Sequence, residues 1–302
     1  MTDTADRTGV MQFTIRYLSR YLYESDVVDN INALRVRPAS TPTQQVDDFT
    51  LRLTPEARQY RHEDYFGTEV VEFEITRPHR ELVIDALAHV HTQAPAEPTG
   101  ACWQGLADSA YRDSGSGSEF VMQTDEAPGH PLLAELEHEL AEASSPLDAV
   151  LLVSELIPGR LEYRKGATYV DSPLAHVLDI GAGVCQDFVH LGLHLLRRRG
   201  IAARYVSGYL YTRGPEADAG EQDAAEQPSV EVDTHAWIEA LVPQDQERPR
   251  WIGIDPTNRG LAGERHVKIG HGRHYADVPP IKGVYRGLAS STLEASVTMT
   301  RL

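Results

Sequence analysis

The chain has 302 residues, 41% of them apolar and 24% charged, which is enough for a substantial core in two compact domains or one large one. Its 28 basic and 45 acidic residues leave a net charge of −17, which disfavours nucleic acid and anionic membrane as partners because both demand positive surface. There are two cysteines, Cys102 and Cys185; Met1 to Val10 lacks the apolar core of a leader and no stretch is apolar for long enough to span a bilayer, so a cytoplasmic, reducing setting is expected, with no structural disulfide and a thiol free for chemistry.

Residues 1–10 read as a loose tail. From Met11 to about His91 the pattern is mostly period two: Phe13, Ile15 and Tyr17, then Phe49, Leu51 and Leu53, then Val71, Phe73 and Ile75, then Leu82, Ile84 and Ala86. Such alternation predicts half-buried strands, with Asp64-Tyr-Phe-Gly67 as a turn, and several in series predict an antiparallel β-sandwich over 11–95. Residues 96–130 read as a linker, with flexible composition in Asp113-Ser-Gly-Ser-Gly-Ser118. Leu133, Leu136 and Leu140 mark a helix. Ser145-Pro146 caps a second, and Pro158-Gly159 is expected to stop it.

Gly181-Ala-Gly-Val-Cys185 leads into a helix to about Arg199, apolar on nearly all sides and therefore buried, and Gly200 ends it. Strands are expected at Ala203–Thr212, Thr234–Val242 and Trp251–Ile254. The acidic stretch Gly214–Asp233 reads as a solvated loop, with a lid as the alternative.

Cys185 stands at a helix start, where unpaired N–H groups and the helix dipole favour a thiolate and can hold an oxyanion. His235 begins a strand on which His235, Trp237 and Glu239 share a face, so Trp237 can wall off the imidazole. Asp255 ends the next strand, within reach of the far imidazole nitrogen if the two strands pair. Alone, each has a plain structural reading: a small buried cysteine, one of 13 histidines, an Asp-Pro turn. Their order and context are what single them out.

That combination resembles the transglutaminase-like superfamily over Gly183-Val-Cys-Gln-Asp-Phe188, His235-Ala-Trp237 and Trp251-Ile-Gly-Ile-Asp-Pro-Thr-Asn258. Val36-Arg-Pro38, Tyr65-Phe66-Gly67, Tyr275-Ala-Asp-Val-Pro-Pro280 and Gly283-Val-Tyr-Arg-Gly287 are similar to its bacterial branch with an N-terminal β domain. One departure is His274, where that branch leads one to expect an acidic residue. The resemblance implies an α+β chain: a papain-like transglutaminase core over 131–302 with a Cys-His-Asp triad on Cys185, His235 and Asp255. It also implies a second oxyanion donor from an aromatic residue before the helix, Tyr163 or Tyr169, with Tyr163 preferred. Gln186 and Trp237 are carried as further oxyanion or substrate contacts, whereas Asp187 has an ordinary helix-stabilising role.

The expected reaction is acyl transfer from a peptide or protein amide through a thioester, with hydrolysis preferred over transfer to an amine. An idle interaction scaffold is the alternative from another class. A redox thiol pair is disfavoured, because Cys102 lies far from Cys185 in sequence and lacks the close spacing of such pairs. No metal or cofactor is expected. His190 and His194 lack the glutamate of the zinc-protease pattern; His266, His271, His274 and Asp277 form only a loose cluster; and Gly181-Ala-Gly183 lacks the rest of a nucleotide fingerprint.

Overall fold

A computed structural model describes residues 10–107, 117–124, 129–212, 229–245 and 247–302. The alternating runs of the first third form β1 (Val10–Leu34), β2 (Gln44–Thr54), β3 (Gln59–Glu63), β4 (Glu69–Ile75) and β5 (His79–Gln93). Phe13, Ile15, Tyr17, Leu51, Leu53, Val71, Phe73, Ile75, Leu82, Ile84 and Ala86 are buried in one cluster, so period two sets the inner face as expected. The first half of β1 runs antiparallel to β5, and Asn30–Leu34 at its far end pair with β4. The register breaks between Leu22 and Val27, and there the long strand passes from one leaf to the other. Asp64 closes the turn before β4: its Oδ1 accepts the N–H of Phe66 and of Thr68, each at 3.0 Å. Gly67, at φ +76°, takes the left-handed position that a side chain would strain.

The middle of the chain holds α1 (Gly117–Val121), α2 (Pro131–Ala141), α3 (Pro146–Arg160), β6 (Glu162–Tyr163), α4 (Leu174–Ile180), β7 (Ala182–Gly183) and α5 (Cys185–Arg198). Ser145 caps α3, its Oγ accepting the Asp148 N–H at 3.1 Å. Pro158 does not stop α3, which runs on to Arg160. Proline removes one N–H, but Leu161 N–H still reaches Ile157 O at 2.9 Å and closes the last turn. Of the presumed flexible stretch 113–118, residues 113–116 lie outside the described residues, while Gly117 and Ser118 open α1. Its Phe120 is buried with Ala202 and Leu241, so tertiary packing overrides the glycine–serine composition.

The last third supplies β8 (Ala203–Leu210), β9 (Ser229–Val232), β10 (Thr234–Val242), β11 (Arg250–Asp255), β12 (Gly260–Leu261), β13 (His266–Gly272), β14 (Ile281–Arg286) and β15 (Ser291–Arg301). Strands β12-β11-β10-β8-β13, in that order, make a five-stranded sheet whose core side packs on α3 and α5. The mixed architecture is α+β, an antiparallel N-terminal sheet joined to a helix-backed core.

Two segments fall elsewhere than the sequence suggests. β14 and β15, within the stretch assigned to the core at 131–302, both pair with β1, for example Tyr17 with Val297. The chain therefore returns to its N-terminal sheet after completing the core. Within 214–233, residues 214–228 lie outside the described residues, and Ser229–Val232 form β9 along β15, with Val230 beside Met299. Among the described residues no helix is long and apolar enough to cross a membrane.

Candidate active site

Period two along β10 sends Ala236, Ile238 and Ala240 into the core and leaves His235, Trp237 and Glu239 on the opposite face. β11 runs antiparallel to β10 with Ile254 opposite Ile238, so the next residue, Asp255, emerges beside Trp237 on that face. The His235 Nε2 donates to Asp255 Oδ2 at 2.7 Å. Cys185 also acts on the His235 imidazole and, together with Asp255, raises its pKa. Since Nε2 is committed to the carboxylate, Nδ1 is the nitrogen left for the sulfur. The link from imidazole to carboxylate is thus in place, with Cys185 near enough to act on the same ring.

Asp255 is 1% exposed, and its acceptor sites are well used. Oδ1 takes the backbone N–H of Thr257 at 2.9 Å and of Asn258 at 3.2 Å, and Oδ2 takes Asn258 Nδ2 at 2.7 Å. The Asp-Pro-Thr-Asn sequence thus folds back on its own first carboxylate. Burial alone would raise that carboxyl, but hydrogen bonds from His235 and His266, with the charge on His235, hold it far below the ordinary carboxylate range. For His235, burial pulls the pKa down, while the hydrogen bond to Asp255, the Cys185 thiol and the charges on both outweigh it and raise it to about 9.

Cys185 is the first residue of α5, half-buried and not in a disulfide. Its approach is fixed by β6 and β7, which run parallel: Glu162 N–H meets Gly181 O and Arg164 N–H meets Gly183 O, each at 2.9 Å. Asp187 folds back over this approach. Its carboxylate accepts Val184 N–H at 2.8 Å and Thr168 Oγ1 at 2.6 Å. A Cβ at Gly183 would stand 2.8 Å from that carboxylate, so the close approach requires glycine. Asp187 therefore caps the helix that carries Cys185, and burial raises its pKa.

The other sequence candidates are distributed unevenly. Tyr163 pairs in register with Gly183, two residues before Cys185, is 45% exposed, and sets its ring edge-on to Phe188 at 6.2 Å. Burial first, then the charge of Cys185, raises its pKa. Tyr169 is 81% exposed. The Gln186 side chain donates to Val170 O at 2.8 Å, which commits one of its N–H groups to holding the 164–173 segment. Trp237 is buried and lies nearly parallel to His235, with ring centroids 6.3 Å apart.

His266 was missed. Its Nε2 donates to Asp255 Oδ2 at 3.1 Å, and its Nδ1 accepts Gly263 N–H at 3.1 Å. It edges onto Trp237 with ring centroids at 5.2 Å, so it braces both the carboxylate and the indole. Only the strand pairing brings it there, because β13 lies two strands from β10 across β8.

The remaining histidines do not converge. His271 lies beside Arg204, His274 stacks on His190 at 4.1 Å, His194 faces Glu137, and Asp277 pairs with Arg273. Among the described residues, one group has the spacing to hold a metal: His235, Asp255 and His266. Its hydrogen bonding favours another use. Gly263 N–H occupies His266 Nδ1, which leaves the proton on Nε2, aimed at the carboxylate.

Comparison with known proteins shows the family and the fold. Residues 13–91 match the bacterial transglutaminase-like N-terminal region and residues 134–256 match the transglutaminase-like superfamily. The chain belongs to the transglutaminase-like superfamily. It is 34% identical over 284 residues to an uncharacterized protein of Mycobacterium leprae, covering 93% of this chain and 96% of that one. A crystal structure of a candidate cysteine protease from Cytophaga hutchinsonii superposes with a TM-score of 0.72 at 25% identity, covering 95% of this chain and 90% of that one. A protein-glutamine gamma-glutamyltransferase of Pseudomonas aeruginosa is 30% identical over 172 residues, which span 53% of this chain and 24% of the relative.

Proposed function

We propose that the protein is a thiol-dependent hydrolase of amide or peptide bonds, with Cys185 as nucleophile, His235 as general acid and base, and Asp255 as the group that orients and charges the imidazole. The observation that carries this reading is the 2.7 Å hydrogen bond between His235 and Asp255, on an imidazole that Cys185 also acts on. An imidazole whose pKa is lifted to about 9 keeps its proton at neutral pH, and a protonated imidazole beside a thiol favours the thiolate–imidazolium pair.

In the first half-reaction the Cys185 sulfur attacks the carbonyl carbon and the oxygen gains negative charge. The Cys185 N–H, at the start of α5, is one donor for that oxyanion and the Tyr163 hydroxyl is the second. The tetrahedral species collapses as the C–N bond breaks, and His235 Nδ1–H protonates the departing amine. Water then adds to the thioester, giving its proton to His235 as the acid forms and the sulfur leaves. Asp255 stays ionised throughout and stabilises the imidazolium. Trp237 and His266 keep the imidazole and the carboxylate in place.

Hydrolysis is preferred to amine transfer because the Cytophaga hutchinsonii neighbour spans nearly the whole chain, whereas the gamma-glutamyltransferase likeness covers about half of it. Both outcomes share the thioester, so protein-glutamine transfer is the second reading. A cytoplasmic location belongs to the same proposal, since a reducing compartment keeps a working thiol free. Turnover of a peptide library, with and without a primary amine such as putrescine, tests it. Release of free acid by the wild type, lost in Cys185→Ala, is expected. An amine-linked product as the main species favours the transferase, turnover unchanged in Cys185→Ala refutes the thiol assignment, and no turnover by the wild type favours a scaffold.

A further inference from the structure

A cavity of about 580 Å³ lies between the N-terminal sheet and the core sheet, and Cys185 does not line it. Residues 39–44, 66–68 and 92–96 form one wall and strands β8, β10, β11 and β13 the other. Its volume is that of a small-molecule site. The charged side chains that line it are Arg204, Arg250, Lys268 and Glu239, three cations against one carboxylate, in a chain whose net charge is −17.

The interior charges are unevenly matched. Glu239 Oε2 accepts Arg204 Nε at 2.7 Å and Lys268 Nζ at 2.6 Å, so one carboxylate serves two buried cations. Arg204 is otherwise occupied, with Nη1 3.0 Å from His271 Nε2 and the guanidinium 4.0 Å from the Trp251 ring centre. Burial first, then Lys268 and Arg204, presses His271 down to about 3, so it stays neutral and adds no charge. Lys268 differs. Its side chain is 11% exposed, its ammonium has three donors, and Glu239 is its acceptor. Burial first, helped by Arg204, outweighs Glu239 and lowers its pKa to about 8. Arg250 lines the same space and makes no ion pair among the described residues.

We propose that this cavity binds a small carboxylate ligand of about dipeptide size, whose anionic group bonds to Lys268 and faces Arg250 while its body lies against Trp237. The carboxylate is that of a free organic acid or of an acidic residue in a short peptide. The site shares Trp237 and His266 with the neighbouring catalytic face, but it does not use Cys185. Binding weakens as pH rises above about 8, where Lys268, faced by Glu239, Arg204 and His271, loses its proton.

Isothermal titration of the full chain with three probes tests this: glutarate, acetyl-alanyl-glutamate, and the uncharged acetyl-alanyl-glutamine amide. At least one acidic probe is expected to bind saturably, one to one, about 10-fold or more tighter than the amide. Preference for glutarate identifies a free acid, and preference for the peptide identifies a peptide end. Lys268→Met should weaken binding about 10-fold or more, and Arg250→Ala should weaken it several-fold. Cys185→Ala should bind as the wild type does, which separates this result from any failure of the hydrolase reading. If Lys268→Met does not fold, Arg250→Ala carries the comparison. Saturable binding of neither acid, or equal binding of acid and amide, overturns the proposal. So do affinities unchanged in both Lys268→Met and Arg250→Ala.

Discussion

His266 Nε2 reaches, at 3.1 Å, the same Asp255 oxygen that His235 Nε2 holds at 2.7 Å. One buried carboxylate oxygen therefore orients two imidazoles, and they have different work. His235 is left with Nδ1 for Cys185, while His266 turns its other nitrogen back to the Gly263 amide. His266→Ala should leave the nucleophile and base intact but loosen the carboxylate. Loss of a hydrogen bond to a buried charged group costs about 1.5–3 kcal/mol, so urea denaturation should show a fall of that size. Turnover should be reduced but still measurable, unlike in Cys185→Ala.

The raised His235 pKa sets the pH response. Its ordinary value of 6.5 rises to about 9 in the folded chain. The stability it contributes is therefore complete below 6.5 and fades as pH climbs through about 9. The protonated imidazole is also the acid that releases the amine, so kcat/KM should fall along an alkaline limb near 9. Asp255→Asn removes the neighbouring charge and should move that limb down by about 1–3 units. A pH–rate profile of both proteins checks it.

Two ion pairs give opposite expectations for stability. Arg16 and Asp85 meet at 2.9 Å on the surface, with side chains 54% and 28% exposed, and an exposed pair of this kind is worth about 0–1 kcal/mol. Glu239 lies with Arg204 and Lys268 at 17%, 14% and 11% exposure. Glu239→Gln would leave two buried cations without their carboxylate, and breaking a buried pair costs about 3–5 kcal/mol. Chemical denaturation of Arg16→Ala and Glu239→Gln should separate the two by several-fold.

The legible parts of the site were those with a local signal. Cys185 at a helix start, His235 at a strand start and Asp255 before Pro-Thr-Asn each carry their context in neighbouring residues, and the strand bounds of β10 follow from alternation alone. His266 had no such signal. Its segment is rich in glycine and histidine, and its role depends on β13 pairing with β8, for example Gly208 with Lys268. The same reason hides the return of β15 to β1. The period two of Leu293, Ala295, Val297 and Met299 marks a strand, but nothing local says that Val297 will lie opposite Tyr17. The cavity between the two sheets was equally hidden, since its walls come from segments that meet only after those pairings form.

The central claim is that His235 activates Cys185, and the rate of alkylation tests it most directly. Cys102 is free and exposed, so it serves as a reference thiol in the same molecule. Mass spectrometry after brief iodoacetamide treatment at pH 7 should find Cys185 modified well ahead of Cys102, although it is the more buried of the two. In His235→Ala that lead should disappear. A Cys185 that reacts no faster than Cys102 in the wild type, or just as fast without His235, would contradict the account.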